Sequence, residues 1–211
     1  MQSLTHHYYS PETRSRLHSN LQAFTVKTQP LGDLRPAAVV LAIVEEADHA
    51  AILLTRRARS LRAHSGQWAL PGGRVDEGET VAEGALRELR EEINLDLAAE
   101  SILGTLDDYI TRSGYRITPV VVWVGKETED LHPNPDEVAS IHTTRFDDLA
   151  REDAPLFERI PQSDREVLSM RLAPDHIYAP TAALLYQFRE VCILGRATRV
   201  LHYDQPLFAW Q

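Results

Sequence analysis

The chain has 211 residues, 43% of them hydrophobic and 25% charged, which fits a globular protein with a sizeable core and excludes a disordered or fibrous one. Its net charge of −9 excludes a basic surface for nonspecific nucleic-acid binding, although local arginines and metal ions can still receive an anionic substrate. A single cysteine, Cys192, excludes an internal disulfide, and the N-terminal MQSLTHHYYSPETRSR lacks an apolar signal core, so a reducing cytoplasm is expected.

Residues 1–34 are polar and read as an N-terminal extension, in which Leu17, Leu21 and Phe24 keep a helical spacing. Ala37 to Val44 reads as a buried strand. It lies in the longest apolar stretch, which is far too short to span a bilayer. Glu45 to His49 is a polar turn, and Ala51 to Thr55 completes a hairpin. Gly66 to Leu70 is a short strand feeding the glycine loop Pro71-Gly72-Gly73.

A helix is predicted from Thr80, where Thr80 and Glu83 match a capping box. Val81, Ala82, Ala85, Leu86, Leu89 and Ile93 supply its apolar face, and Asn94 sits where a left-handed exit is required. Ile102 to Ile110 and Arg116 to Val124 read as strands about a Ser113-Gly114 turn, with Val120 to Val124 central. After the proline-broken loop Leu131 to Asp136, Ile141 to Phe146 reads as a last core strand. In residues 151–211 the pattern predicts a helical segment packed on the core. It has one helix over Ser163 to Leu172, capped by Ser163 and Glu166, and a second over Thr181 to Leu194, ended by Gly195. Arg199 to Tyr203 reads as a terminal strand, and Cys192 as a buried, inert thiol. Strands mixed with helices imply an α/β fold with a mixed sheet between helices, its core spanning about residues 35–150.

The chemistry concentrates in GRVDEGETVAEGALRELREEINL, Gly73 to Leu95. Glu88, Glu91 and Glu92 crowd one side of the predicted helix, where like charges three and four apart repel. A solvated acidic face is one reading. A hard divalent cation such as Mg²⁺ or Mn²⁺ offsetting the charge is the other.

The register of this run resembles the Nudix box: Gly73, Glu79, Arg87, Glu88, Leu89, Glu91, Glu92 and Leu95 match in place, and Asn94 stands for the final glycine. The resemblance implies a Nudix-type α/β/α sandwich. It also implies hydrolysis of a nucleoside diphosphate derivative with Mg²⁺ or Mn²⁺. It assigns Glu88, Glu91 and Glu92 as metal ligands beside the Gly73 carbonyl. Arg87 and Glu79 pair to align the helix with the glycine loop.

Upstream of the box, Arg56, Arg57, Arg59, Arg62 and His64 form a locally basic segment ending near Gln67. The charges alone leave open a phosphate clamp or a solvated loop paired with surface acids. The surrounding residues resemble the coenzyme A pyrophosphatase subfamily of Nudix hydrolases. Leu53-Leu54-Thr55, Arg57-Ala58, Arg62, Gly66 and Pro71-Gly72-Gly73 fit its signature, with Leu70 in place of Phe. Asn134-Pro135-Asp136-Glu137-Val138 is similar to a second element of that subfamily, and YAPTAALL, Tyr178 to Leu185, to a third.

This resemblance implies that coenzyme A or its derivatives are cut to 3′,5′-ADP and 4′-phosphopantetheine. Arg57, Arg62, His64 and Gln67 would contact the substrate, and Glu88 or Glu137 would act as base. Other readings are a Nudix hydrolase of ADP-ribose or NADH, and a silent nucleotide-sensing module. For Glu137 an exposed turn acid is the competing reading, and for Tyr109, Tyr115 and Arg116 sheet packing is. The expected partner is a small-molecule nucleotide, with neither nucleic acid nor membrane, and a homodimer is left open.

Overall fold

The computed structural model describes residues 7–58, 66–125, 130–172 and 175–207. Helix α1 (Pro11–Ala23) starts at Ser10, whose hydroxyl accepts from the Thr13 N–H at 3.2 Å. It leads to the long strand β1 (Arg35–Glu46), then β2 (His49–Arg57), β3 (Trp68–Ala69) and β4 (Gly72–Arg74). Helix α2 (Val81–Ile93) follows, then β5 (Ile102–Thr105), β6 (Tyr109–Ile110), β7 (Tyr115–Trp123) and β8 (Val138–Arg145). The chain continues through α3 (Phe146–Ala150), β9 (Pro155–Arg159), β10 (Glu166–Leu172), β11 (Asp175–Tyr178) and α4 (Thr181–Phe188).

Strands β1 to β8 form one mixed eight-stranded sheet. In it β1 runs parallel to β7, from Arg35 opposite Tyr115 to Ile43 opposite Trp123, and antiparallel to β2 and β4. The apolar run of β1 is explained by burial on both faces. Ala38, Val40, Ala42 and Val44 pack with Ala85, Leu89 and Ile93 of α2. Ala37, Leu41 and Ile43 pack with Leu17 and Leu21 of α1 and with Leu184, Leu185 and Phe188 of α4. Full burial of each such Leu or Ile contributes about 1.5–3 kcal/mol. The result is the α/β/α arrangement expected. The β1–β2 hairpin closes on Ala47 and Asp48, both at positive φ (46° and 68°), which matches the right-handed twist of the strands.

Three elements differ from expectation. Ile102 to Ile110 is not one strand, because Asp107 and Asp108 interrupt it with buried carboxylates. Asp107 accepts the Lys27 N–H at 2.7 Å and Asp108 the Gln29 N–H at 2.8 Å, so the chain leaving α1 is pinned to the sheet. Ser163 to Leu172 is not a helix. Glu166–Leu172 is the middle strand of a separate three-stranded sheet with β9 and β11, and Ser163 Oγ donates to Asp204 at 2.7 Å instead of capping. Residues 151–211 therefore hold a small sheet as well as a helix. Arg199 to Tyr203 forms turns, with a lone bridge from Asp204 to Val167 beyond it.

The last helix does run as expected. α4 passes into a π-helical stretch, Arg189–Ile193, and Gly195 at φ 67° follows its end. Cys192 is buried there, and burial raises its pKa well above the ordinary thiol value.

Helix α2 keeps both predicted caps. Thr80 and Glu83 form the reciprocal capping box. Asn94 lies at φ 57°, ψ 32°, and the N–H groups of Asn94 and Leu95 return to the carbonyls of Arg90 (3.1 Å) and Leu89 (3.2 Å). Asn94→Gly is expected to be tolerated, whereas Asn94→Val should cost about 1 kcal/mol or more because a β-branched residue fits poorly at positive φ. Equal melting temperatures for the two variants would contradict this account of the helix exit.

Candidate active site

The site begins with the packing of β4 against α2. The Gly72 N–H donates to Glu92 Oε2 at 3.1 Å. A Cβ at Gly73 would lie 2.6 Å from Glu88 Oε2, so any side chain there would push that carboxylate off the strand. Arg87 then binds the strand and the helix together. It donates through Nε and Nη2 to both oxygens of Glu79 (2.8 and 3.1 Å) and through Nη2 to the Arg74 carbonyl (2.8 Å). Its Nη1 serves Glu88 (2.9 Å) and Glu91 (3.0 Å). The Glu79 hydrogen bonds, above all, raise the Arg87 pKa further, so the guanidinium stays charged.

Glu88, Glu92 and Glu137 bring carboxylate oxygens within 4.8 Å of one another. Glu92 is 5% exposed, and burial pushes its pKa up to about 7 against the opposing Gly72 N–H, with Glu88 adding to the rise. Burial also raises Glu88, opposed by its bond to Arg87. Of these three, Arg87 answers only Glu88 directly, Glu92 is buried without an ion pair among the described residues, and an oxygen-only donor set of this size fits a hard divalent cation. Glu91, expected among the ligands, lies outside the cluster. Its side chain is 51% exposed and turned to Arg87, one helical turn back.

Glu137 arrives from a separate loop. The Asn134 N–H donates to the Glu92 carbonyl (2.8 Å), the Glu137 N–H to the Asn134 carbonyl (3.1 Å), and the Ala58 N–H to the Glu137 carbonyl (2.8 Å). The 134–138 turn is thus fixed between the end of α2 and the end of β2.

The cluster opens into a cleft of about 620 Å³. Ala37, Val39 and Ile117 line it from the sheet, and Pro180, Thr181 and Leu184 from the start of α4. Arg57 and Gln67 both line it as expected. Arg57 Nε is buried without a hydrogen-bond partner among the described residues, and its charge favours ionised Glu92. Arg62 and His64 lie outside the described residues. Arg56 is occupied elsewhere, paired with Asp175 and stacked 4.5 Å from the Trp68 ring.

Of the tyrosines and Arg116, only Tyr115 reaches the cleft. Tyr109 is buried, with its hydroxyl 3.3 Å from the Tyr203 carbonyl, and Arg116 donates to the Gln29 carbonyl at 3.0 Å. Sequence reasoning missed Arg35, Arg74 and the α4 wall. The period-two alternation of β1, which puts Arg35 on the face of Ala37 and Val39, could have indicated the first.

Residues 33–168 match the NUDIX domain family. An uncharacterized Nudix hydrolase NudL of Pectobacterium atrosepticum is 36% identical over 163 residues, which is 75% of this chain and 83% of that protein. Nudix hydrolase 3 of Caenorhabditis elegans is 32% identical over 152 residues, covering 68% of this chain and 63% of that one. Among solved structures, a MutT/nudix family protein from Enterococcus faecalis aligns with a TM-score of 0.48 at 21% identity, covering 68% of this chain and 50% of that chain. Among the described residues no helix is long and apolar enough to cross a membrane.

The raised pKa of Glu92 sets a sign for stability. Between about pH 4.5 and 7 the metal-free folded state holds a proton that the unfolded chain releases, so stability falls as pH rises through that window and stays lower above it. In chelator, Glu92→Gln is expected to melt above the unsubstituted protein at pH 8, and the gap should close towards pH 4.5. Parallel melting-temperature profiles for the two proteins would show that Glu92 carries no such penalty.

Proposed function

The chain belongs to the Nudix family and is a hydrolase of pyrophosphate bonds in nucleoside diphosphate derivatives, and we propose that its substrate is coenzyme A or a derivative, cut to 3′,5′-ADP and 4′-phosphopantetheine. One observation supports the reading above others. Two of the three sequence elements that carry the coenzyme A pyrophosphatase resemblance lie together beside the carboxylate cluster. Arg57 pairs with Val138 across β2 and β8, and the Ala58 N–H holds the Glu137 carbonyl at 2.8 Å. Arg57 and Glu137 thereby face the same cleft as Glu88 and Glu92.

Glu88, Glu92 and Glu137 would hold Mg²⁺ or Mn²⁺, with the Gly73 backbone beside them. Such an ion supplies Lewis-acid polarisation of the diphosphate and a water of lowered pKa. Arg57 faces the diphosphate and balances charge gathering on the leaving phosphate. Glu88 or Glu137 takes the proton of the attacking water. Glu88 is held in place by Arg87, while Glu137 stands exposed at the cleft mouth. Glu79 and Arg87 keep the glycine strand and ligand helix in register, and Glu91 acts through Arg87.

Chromatography of products from coenzyme A, ADP-ribose and NADH with Mg²⁺ or Mn²⁺ tests the assignment. Coenzyme A should give the highest kcat/KM and the two stated products. Faster cleavage of ADP-ribose or NADH would remove the coenzyme A reading and leave the hydrolase. Chelation should abolish turnover and added metal should restore it. Glu92→Gln should lower kcat by about a hundredfold or more, since one positioned electrostatic group commonly contributes two to three decades. Near-normal turnover of that variant at saturating Mg²⁺ would dismiss Glu92 as a ligand.

A further inference from the structure

Two cations that line the cleft have no part in the chemistry described so far. Arg35 and Arg74 both line the cleft, and neither guanidinium has a carboxylate partner among the described residues. They share Tyr115 instead. Arg35 lies 3.9 Å above the ring centroid and donates through Nη2 to the Ser113 carbonyl at 2.7 Å. Arg74 donates from Nε and Nη2 to the Tyr115 hydroxyl at 3.3 and 3.1 Å.

The arrangement is built by strand pairing, since Arg35 is opposite Tyr115 across β1 and β7, and Arg74 is opposite Ala37 across β1 and β4. Two like charges gathered on one aromatic residue, in a chain with excess acid, leave a place for a multiply charged anion. Guanidinium forks match phosphate oxygens, and their positions are already fixed before binding. Placement narrows the anion further. Arg74 directly follows Gly73, which packs on the Glu88 carboxylate. Arg35 is two strand residues beyond Ala37, about 7 Å along β1. An anion there is close to the scissile diphosphate but separate from it, as a second phosphate on the same ribose would be.

We propose that Arg35, Arg74 and Tyr115 form a subsite for a phosphomonoester on the ribose of the substrate, distinct from the diphosphate that is cleaved. The proposal rests on the reading of this cleft as the site of diphosphate hydrolysis. In coenzyme A the group is the 3′-phosphate, and in a phosphorylated nicotinamide dinucleotide it is the 2′-phosphate.

Calorimetry with adenosine 3′,5′-bisphosphate, adenosine 2′,5′-bisphosphate and AMP tests the subsite without turnover. One bisphosphate should bind the unsubstituted protein about ten- to hundredfold more tightly than AMP, the range of a charge-assisted hydrogen bond. The preferred isomer identifies the source of the phosphate. Arg74→Ala and Arg35→Ala should each remove most of that preference, and Arg74→Lys should restore part of it. Arg74 is an exposed side chain, and its carbonyl bond to Arg87 survives substitution, so Arg74→Ala reports on binding even where Arg35→Ala loosens the start of β1.

In turnover, Arg74→Ala should lower kcat/KM for coenzyme A at least tenfold more than for dephospho-coenzyme A. Equal binding of AMP and both bisphosphates, or a preference that survives in Arg74→Ala, would overturn the subsite. A protein that prefers a bisphosphate but hydrolyses NADH faster than coenzyme A keeps the subsite and loses the coenzyme A reading. Coenzyme A cleavage without a bisphosphate preference does the reverse.

Discussion

The register of the glycine strand on the carboxylate-bearing helix depends on one guanidinium. Arg87 has five N–H donors and uses all of them, two on Glu79, one on the Arg74 carbonyl, one on Glu88 and one on Glu91. Those partners come from the loop before α2, from the glycine strand and from α2 itself. No ammonium group could replace it, because a lysine has three donors and no planar fork. The bonds also answer the repulsion that the sequence implies. Glu88 and Glu91 each meet the same positive charge, whereas buried Glu92 meets only the Gly72 N–H and the field of Arg57. The charge left unbalanced is therefore local to Glu92 and its neighbours, where a metal ion would sit.

The two faces of the sheet divide the work. Leu89 and Ile93 of α2 pack on one face and hold the carboxylates at the strand edge. The cleft floor belongs to the other face, through Ala37, Val39 and Ile117, and Pro180, Thr181 and Leu184 close over it. These three covering residues lie beyond residues 33–168, the part matched to the family. The chemical groups thus belong to the shared domain, while one wall of the substrate cleft is supplied by the C-terminal segment. Substrate choice has room to vary there without moving a ligand.

Much of this was legible in the sequence where local signals agreed. The caps of α2, the apolar run of β1 and the spacing that brings Glu79 to Arg87 are all short-range and mutually consistent. Legibility failed where a distant partner decides the outcome. Glu166–Leu172 has a helix-like cap ahead of a short apolar run, and periodicity cannot separate such a run from a strand. Pairing with β9 and β11 settled it. The acids of α2 show the same limit on a smaller scale. Glu91 and Glu92 are three and four residues from Glu88, spacings that sequence treats alike, yet only Glu92 faces the strand. Arg35, Arg74 and Tyr115 meet through three strands, and nothing local in any of the three segments announces the meeting.

The charge distribution gives the cleft its polarity despite the acidic total. Several other arginines are already committed to acids: Arg56 to Asp175, Arg112 to Asp204, Arg116 to Asp108 and Arg199 to Asp107. Arg35, Arg57 and Arg74 line the cleft without an acidic partner among the described residues. At physiological ionic strength the screening length is about 8 Å, so an anion in the cleft responds to these groups more than to the net charge of the chain. Pairing the structural arginines internally is what leaves the cleft attractive to a polyphosphate. An acidic protein can in this way set three arginines beside a carboxylate cluster, the cluster suited by its chemistry to a metal ion and the arginines to phosphate.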